Sequence, residues 1–164
     1  MNVTSIPDVT QSHAGGVEIG NAPDWGVPPQ TKRKRSLHIL CIDDDALVLE
    51  IMTRCLSRWE HRVTVASGGK RGLELFRTAT LENEPYEVVI TDLGMPDVDG
   101  QRVARTIKAE SPKTPVIMMT GWGTFVKNEG DTALPVDAVI GKPACMQELN
   151  DLVLRITAPA PPGL

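Results

Sequence analysis

Short apolar runs alternate with amphipathic segments through the middle of the chain. Five apolar runs have the length and β-branched content of strands, and they cover positions 37–43, 61–67, 86–92, 114–120 and 136–142. Four segments repeat apolar residues at helical spacing, and they cover positions 46–59, 69–77, 101–109 and 145–156. Positions 121–135 are rich in glycine, so we expect at most a short, loose helix there.

This alternation predicts an α/β fold with five consecutive strand–helix units. Such units form a parallel sheet that is covered by helices on both faces. The third and fourth strands are continuously apolar, as strands buried on both faces should be. The pattern therefore predicts a doubly wound sheet at positions 36–157.

The two ends of the chain lack this pattern. Residues 1–35 are rich in Gly, Pro, Ser, Asn and Thr, which predicts a disordered arm. The arm ends in four basic residues at positions 32–35, which could contact nucleic acid or another anionic surface, although a solvated linker is the simpler interpretation. Residues 158–164 form a Pro-rich tail that cannot continue a helix.

Composition narrows the class of protein. With 41% apolar and 23% charged residues in a chain of 164, we expect a soluble globular protein, and the net charge of −4 argues against nucleic-acid binding by the whole chain. No apolar run reaches membrane-spanning length, and the N-terminus lacks a signal-peptide pattern. Three cysteines, Cys41, Cys55 and Cys145, stand in apolar contexts, so we expect buried thiols in a reducing, cytoplasmic compartment.

Polar residues follow four of the five predicted strands. They are Asp43, Asp44 and Asp45 after the first strand, Asp92 after the third, Thr120 after the fourth and Lys142 after the fifth. Ligands of open parallel sheets bind beyond the carboxyl ends of the strands, where the strand order reverses. If the order is 2-1-3-4-5, the first and third strands are neighbours and their carboxylates converge.

Converging carboxylates repel one another unless a cation compensates them. Mg²⁺ prefers oxygen ligands and commonly takes one or two carboxylates together with a phosphate. Lys142 and the hydroxyl of Thr120 could contact the phosphate oxygens. Asp92 would then be the nucleophile that forms an aspartyl phosphate.

Each of these residues also has a structural explanation when it is taken alone. Asp45 precedes a helix and is expected to cap it, while Asp92 and Thr120 would suit turns and Lys142 an exposed surface. The tetrapeptide DVDG at 97–100 lacks the rest of a calcium-binding loop, and we interpret Asp97, Asp99 and Gly100 as a turn that enters the third helix. The joint occurrence of these residues at four strand ends is what favours a functional site.

Four segments, ILCIDDD, VVITDLGMPDVDG, PVIMMTGWG and VIGKP, resemble the receiver domain of bacterial two-component response regulators. The resemblance covers residues 37–156 and implies the flavodoxin-like (βα)5 fold with strand order 2-1-3-4-5. It implies that Asp43 and Asp44 bind Mg²⁺ together with Asp92 and the backbone carbonyl of Gly94.

By the same resemblance, Asp92 is the phosphoacceptor, and Thr120 and Lys142 assist the transfer. The phosphoryl donor would be a histidine kinase or a histidine phosphotransfer protein. By this resemblance the domain is a phosphoacceptor that catalyses its own phosphotransfer and its own dephosphorylation, and it is not a classical enzyme. The resemblance also implies a cis peptide between Lys142 and Pro143. At a position where receivers often carry an aromatic residue, this chain has Val139.

Two other functions remain open. A phosphohydrolase that forms an aspartyl phosphate would need a second aspartate two residues beyond the nucleophile, where this chain has Gly94. A degenerate receiver would serve only as a binding module. No output domain is expected after residue 157, so the chain is expected to be a stand-alone receiver or the C-terminal receiver of a hybrid sensor kinase.

Overall fold

The computed structural model describes residues 35–121, 134–142 and 144–159. Within these ranges the strands are β1 (His38–Ile42), β2 (Arg62–Ala66), β3 (Val88–Asp92), β4 (Val116–Thr120) and β5 (Ala138–Gly141). The helices are α1 (Ala46–Ser57), α2 (Gly69–Leu81), α3 (Gly100–Glu110) and α4 (Met146–Ile156). The predicted division into arm, body and tail stays a prediction, because residues 1–34 and 160–164 lie outside the described ranges.

The five strands form one sheet in the order β2-β1-β3-β4-β5, and every neighbouring pair is parallel. This confirms the predicted doubly wound, flavodoxin-like fold. Strands β1 and β3 are neighbours, so their carboxyl ends lie side by side. They form part of the carboxyl edge of the sheet, by which we mean the border where all five parallel strands end. The central strands β3 and β4 are buried throughout, whereas the edge strands β2 and β5 are partly exposed.

Two hydrophobic clusters, one on each face of the sheet, form the core. Side chains that alternate along a strand point to opposite faces, so Ile90 packs in one cluster and Val89 in the other. Helices α1 and α4 cover the first face, and α2 and α3 cover the second. None of the described helices has the length and apolar composition that crossing a membrane requires.

Helices α1 and α3 begin at aspartates. The side chain of Asp45 accepts hydrogen bonds from the backbone N–H groups of Leu47 and Val48, at 2.8 and 3.4 Å. The side chain of Asp99 accepts one from the N–H of Arg102 at 2.8 Å. Each such cap stabilises its helix by about 1 kcal/mol. The predicted capping role of Asp45 is confirmed.

Helix α2 is one turn longer than the apolar spacing predicts, because it ends at Leu81 and not at residue 77. Ala79 is 7% exposed and continues the buried face of the helix one turn beyond Phe76, which offsets the weak helix propensity of the neighbouring threonines. The loose helix predicted in 121–135 falls largely on residues 122–133, which lie outside the described residues, as does Pro143 with its predicted cis peptide.

The expectation of three buried cysteines is confirmed for Cys41, holds in part for Cys55 and is wrong for Cys145. Cys41 is buried, Cys55 is half-buried and Cys145 is exposed. Cys145 immediately precedes the first residue of α4, as the residue at its N-terminal cap. Burial, with a smaller contribution from the charge of Asp43, raises the pKa of the Cys41 thiol, so this thiol stays protonated.

The first and last described parts of the domain meet at the edge where the strands begin. Arg35 forms an ion pair with Glu87 at 2.7 Å and also donates a hydrogen bond to the carbonyl oxygen of Thr157, just after α4. The other carboxylate oxygen of Glu87 accepts a hydrogen bond from the N–H of His38 at 3.0 Å. These contacts join the chain before β1 to the end of the last helix.

A buried polar pair ties α4 to the sheet at this same edge. The Nδ1 atom of His61 accepts a hydrogen bond from the N–H of Leu37 at 3.2 Å, so we assign its proton to Nε2, which lies 2.9 Å from Oδ1 of Asn150. His61 and Asn150 are 5% and 3% exposed. Because water cannot replace a lost partner there, the pair needs both members.

We expect Asn150→Leu to lower the free energy of unfolding by about 1–3 kcal/mol, since it leaves the Nε2–H group of His61 buried without an acceptor. Urea denaturation would measure the change. The control is Gln147→Leu on the exposed part of the same helix, which is expected to change stability by less than about 0.5 kcal/mol. Equal effects of the two substitutions would contradict a special role for the buried pair.

Candidate phosphoryl-transfer site

Four polar side chains lie at the carboxyl edge of the sheet. Asp92 and Thr120 are the last residues of β3 and β4, and Asp43 and Lys142 directly follow β1 and β5. The register pairs Asp92 with Met119 and Thr120 with Gly141, so these strand ends reach the same level. The fold therefore brings together residues that are widely separated in the chain.

Lys142 bridges the two buried carboxylates. Its Nζ atom lies 2.6 Å from Oδ2 of Asp43 and 2.8 Å from Oδ1 of Asp92. The side chains of Asp43 and Asp92 are 2% and 10% exposed, and that of Lys142 is 23% exposed. Buried carboxylates need a compensating charge, and this single ammonium group serves both.

Backbone groups hold the remaining oxygen of each carboxylate. Oδ1 of Asp43 accepts a hydrogen bond from the N–H of Asp45 at 2.9 Å. Oδ2 of Asp92 accepts one from the N–H of Gly94, also at 2.9 Å. Each carboxylate is therefore fixed at both oxygens, which sets its orientation before any ligand arrives.

The charge of Lys142 is secure at neutral pH. Partial burial by itself lowers the pKa of the ammonium group. The hydrogen bonds and negative charges of Asp43 and Asp92 outweigh this effect, so the pKa lies above its ordinary value. Lys142 is therefore available as a fixed positive charge.

A third carboxylate gives the site an excess of negative charge. Oxygen atoms of Asp43, Asp44 and Asp92 lie within 4.8 Å of one another, and Asp44 is exposed while the other two are buried. Among the residues that the structure describes, three carboxylates against one ammonium leave two negative charges that Lys142 does not compensate. Hard oxygen donors with this excess charge fit a divalent cation such as Mg²⁺.

The two other predicted site residues, Thr120 and Gly94, lie near this cluster. Thr120 is 4% exposed at the end of β4, and Gly94 contacts Asp92 through its N–H group. Val139, at the position where an aromatic residue is common in receivers, is 40% exposed on the edge strand β5.

Sequence reasoning assigned Gly100 only to a turn at the start of a helix. In the structure its N–H donates a hydrogen bond to the carbonyl oxygen of Leu93 at 3.0 Å, and its Cα lies against the main chain of Asp92. The sequence signal for this contact is a glycine that follows a helix-capping aspartate, which by itself does not reveal the partner.

Comparison with known proteins agrees with this arrangement. Residues 39–154 match the family model for the response regulator receiver domain. A receiver domain protein from Clostridium thermocellum superposes with a TM-score of 0.64 at 29% identity, covering 74% of this chain and 94% of that one.

Curated relatives contain the same domain within longer chains. Transcription factor SKN7 of Saccharomyces cerevisiae is 27% identical over 147 residues, which cover 85% of this chain and 22% of that protein. Sensor histidine kinase AtsR of Burkholderia thailandensis is 31% identical over 142 residues, which cover 83% of this chain and 22% of that protein. The chain spans about a fifth of the length of these relatives. It belongs to the response regulator receiver domain family, the phosphorylatable modules of two-component signalling.

Proposed function

We propose that Asp92 accepts a phosphoryl group from a phosphohistidine of a histidine kinase or a histidine phosphotransfer protein. The observation that carries the proposal is the cluster itself, in which Lys142 bridges Asp43 and Asp92 while Asp44 lies within reach. A buried, oriented carboxylate beside a fixed ammonium group suits nucleophilic attack on phosphorus.

In the proposed step, a carboxylate oxygen of Asp92 attacks the phosphorus atom. The bond between phosphorus and the histidine nitrogen breaks, and its electron pair stays on that nitrogen. The product is an aspartyl phosphate on this chain and a free histidine on the donor. Lys142 provides a positive charge for the phosphoryl oxygens, and the hydroxyl of Thr120 donates a hydrogen bond to them.

The proposal assigns Mg²⁺ to Asp43, Asp44, Asp92 and the backbone carbonyl of Gly94. When bound, the ion would neutralise charge on the phosphoryl oxygens. The excess negative charge and the oxygen donors of the three aspartates support this assignment. The role of the Gly94 carbonyl comes from the family resemblance.

The domain would act as a signalling module, since the phosphoryl group is held on Asp92 until the domain's own dephosphorylation removes it. Phosphorylation would shift the domain between two conformations that a partner distinguishes. We place this reaction in the cytoplasm, where kinases obtain their phosphoryl groups from ATP. Gly94 stands where a phosphohydrolase of the aspartyl-phosphate class needs a second aspartate, which disfavours that alternative.

Incubation of the chain with acetyl phosphate and Mg²⁺, followed by intact mass measurement, tests the proposal. We expect the gain of a single phosphoryl group, and we expect EDTA to prevent it because the excess negative charge would then repel the donor. Absence of any adduct with Mg²⁺ present would favour a pure binding module. Continuous turnover of a small phosphomonoester would favour a phosphohydrolase.

A further inference from the structure

The loop between β3 and α3 folds back on itself, so that its end at Gly100 contacts the backbone at its beginning. Asp99 caps α3 through the N–H of Arg102, and the next residue, Gly100, donates its N–H to the carbonyl oxygen of Leu93 at 3.0 Å. The first turn of α3 is thereby fixed against the peptide between Leu93 and Gly94, one residue beyond Asp92.

Gly100 leaves no space for a side chain. A Cβ atom at this position would overlap the carbonyl oxygen of Asp92, and it would lie 2.9 Å from the carbonyl carbon of Asp92 and 3.0 Å from Cα of Leu93. Ordinary contacts between carbon atoms are about 3.5–4.0 Å. These neighbours are backbone atoms, so they cannot swing aside as the end of a side chain could.

The same carbonyl group is held from a second direction. The hydroxyl of Thr91, a fully buried residue, donates a hydrogen bond to the carbonyl oxygen of Asp92 at 3.1 Å. The main chain of Asp92 is therefore held between the hydroxyl of its predecessor and the start of α3.

From this geometry we propose that Gly100 and Thr91 are positioning residues for Asp92. They fix the main chain of Asp92 and thereby set the distance from its carboxylate to Lys142. The proposal rests on the proposed function of Asp92 as phosphoacceptor. The carboxylate of Asp92 lies 2.8 Å from Nζ of Lys142 and 2.9 Å from the backbone nitrogen of Gly94, and these two contacts would not survive a shift of its main chain by about 1 Å.

The test compares Gly100→Ala with Gly69→Ala. A Cβ atom at Gly69 would overlap the carbonyl oxygen of Val98 and lie 2.9 Å from Cγ2 of Val103, so the substitution strains the same loop without pressing on Asp92. Both variants are expected to lose stability. Only Gly100→Ala is expected to lose phosphorylation rate, by about tenfold or more at saturating acetyl phosphate and Mg²⁺, after correction for the folded fraction.

A second readout does not depend on phosphorylation. Mg²⁺ is expected to raise the unfolding temperature of Gly69→Ala as much as that of the wild type, and that of Gly100→Ala by less, because Asp92 is displaced from its neighbours. If Gly100 had only a structural role, Gly100→Ala would lower stability without changing the effect of Mg²⁺ on the unfolding temperature. A wild-type rate constant in folded Gly100→Ala, or an equal loss in Gly69→Ala, would overturn the proposal.

Thr91→Val keeps the test decisive if Gly100→Ala does not fold. The substitution preserves the shape of the side chain and removes only the hydroxyl that holds the carbonyl of Asp92. We expect phosphorylation to slow by about threefold while the fold is retained. An unchanged rate would count against the proposal, whereas a wild-type chain that takes up no phosphoryl group would instead refute the function of Asp92.

Discussion

Asp92→Asn is expected to abolish phosphoryl uptake, with the initial rate falling by at least about 100-fold under conditions where the wild type gains one group. An amide oxygen is a poor nucleophile, and asparagine otherwise preserves the size of the side chain. The substitution loses the ion pair with Lys142 but also removes repulsion from Asp43, so the fold is expected to persist. Intact mass after reaction with acetyl phosphate and Mg²⁺ measures the result.

Asp99→Asn is the matched control, because it removes a carboxylate from the same loop. Asparagine caps helices about as well as aspartate, so the start of α3 should be preserved. Uptake in this variant is expected to match the wild type. If Asp92→Asn still gained a phosphoryl group at the wild-type rate, the acceptor would have to be another residue.

Lys142→Met is expected to lower the free energy of unfolding by about 2–3 kcal/mol in the absence of Mg²⁺. Methionine retains an unbranched apolar side chain but leaves Asp43 and Asp92 buried without their shared positive charge. The expected loss is smaller than for a fully buried ion pair, since the Lys142 side chain is 23% exposed. Chemical denaturation in EDTA would measure it.

Magnesium is expected to restore part of this loss, because a divalent cation supplies the missing positive charge to the same carboxylates. The stabilisation by Mg²⁺ should therefore be larger in Lys142→Met than in the wild type. Lys113→Met, which replaces an exposed lysine, serves as the control and should change neither stability nor the effect of Mg²⁺ appreciably. Wild-type stability of Lys142→Met in EDTA would show that the carboxylates do not need the ammonium group.

The arrangement of the sheet could be predicted because its determinants are local. Apolar runs mark the strands, and the carboxyl ends of parallel strands share one edge, so Asp43, Asp92, Thr120 and Lys142 could be assigned to a common edge. Capping by Asp45 was equally predictable, since it depends only on the two residues that follow it by two and three positions.

Contacts that depend on packing between distant segments could not be predicted. The pairing of His61 with Asn150 joins residues 89 positions apart, and neither has a sequence pattern that identifies the other. The position of Gly100 against Asp92 depends on how α3 packs against β3. In a sequence, a glycine near a turn is explained more simply by the conformation of the turn itself. Cys145 was predicted to be buried because its apolar neighbours suggested a core position, yet it lies just outside the first turn of α4.

The contacts of Arg35 with Glu87 and Thr157 have a practical consequence for work with this domain. Arg35 and Thr157 lie beside the amino ends of the strands, whereas the acidic cluster lies beside their carboxyl ends. A fluorescent protein or affinity tag attached at the predicted boundaries, positions 36 and 157, should therefore leave the acidic cluster accessible to a docking donor. Because Arg35 contacts Thr157, the part of the chain between them should also suit insertion into a surface loop of a host protein, as a portable phosphorylation sensor.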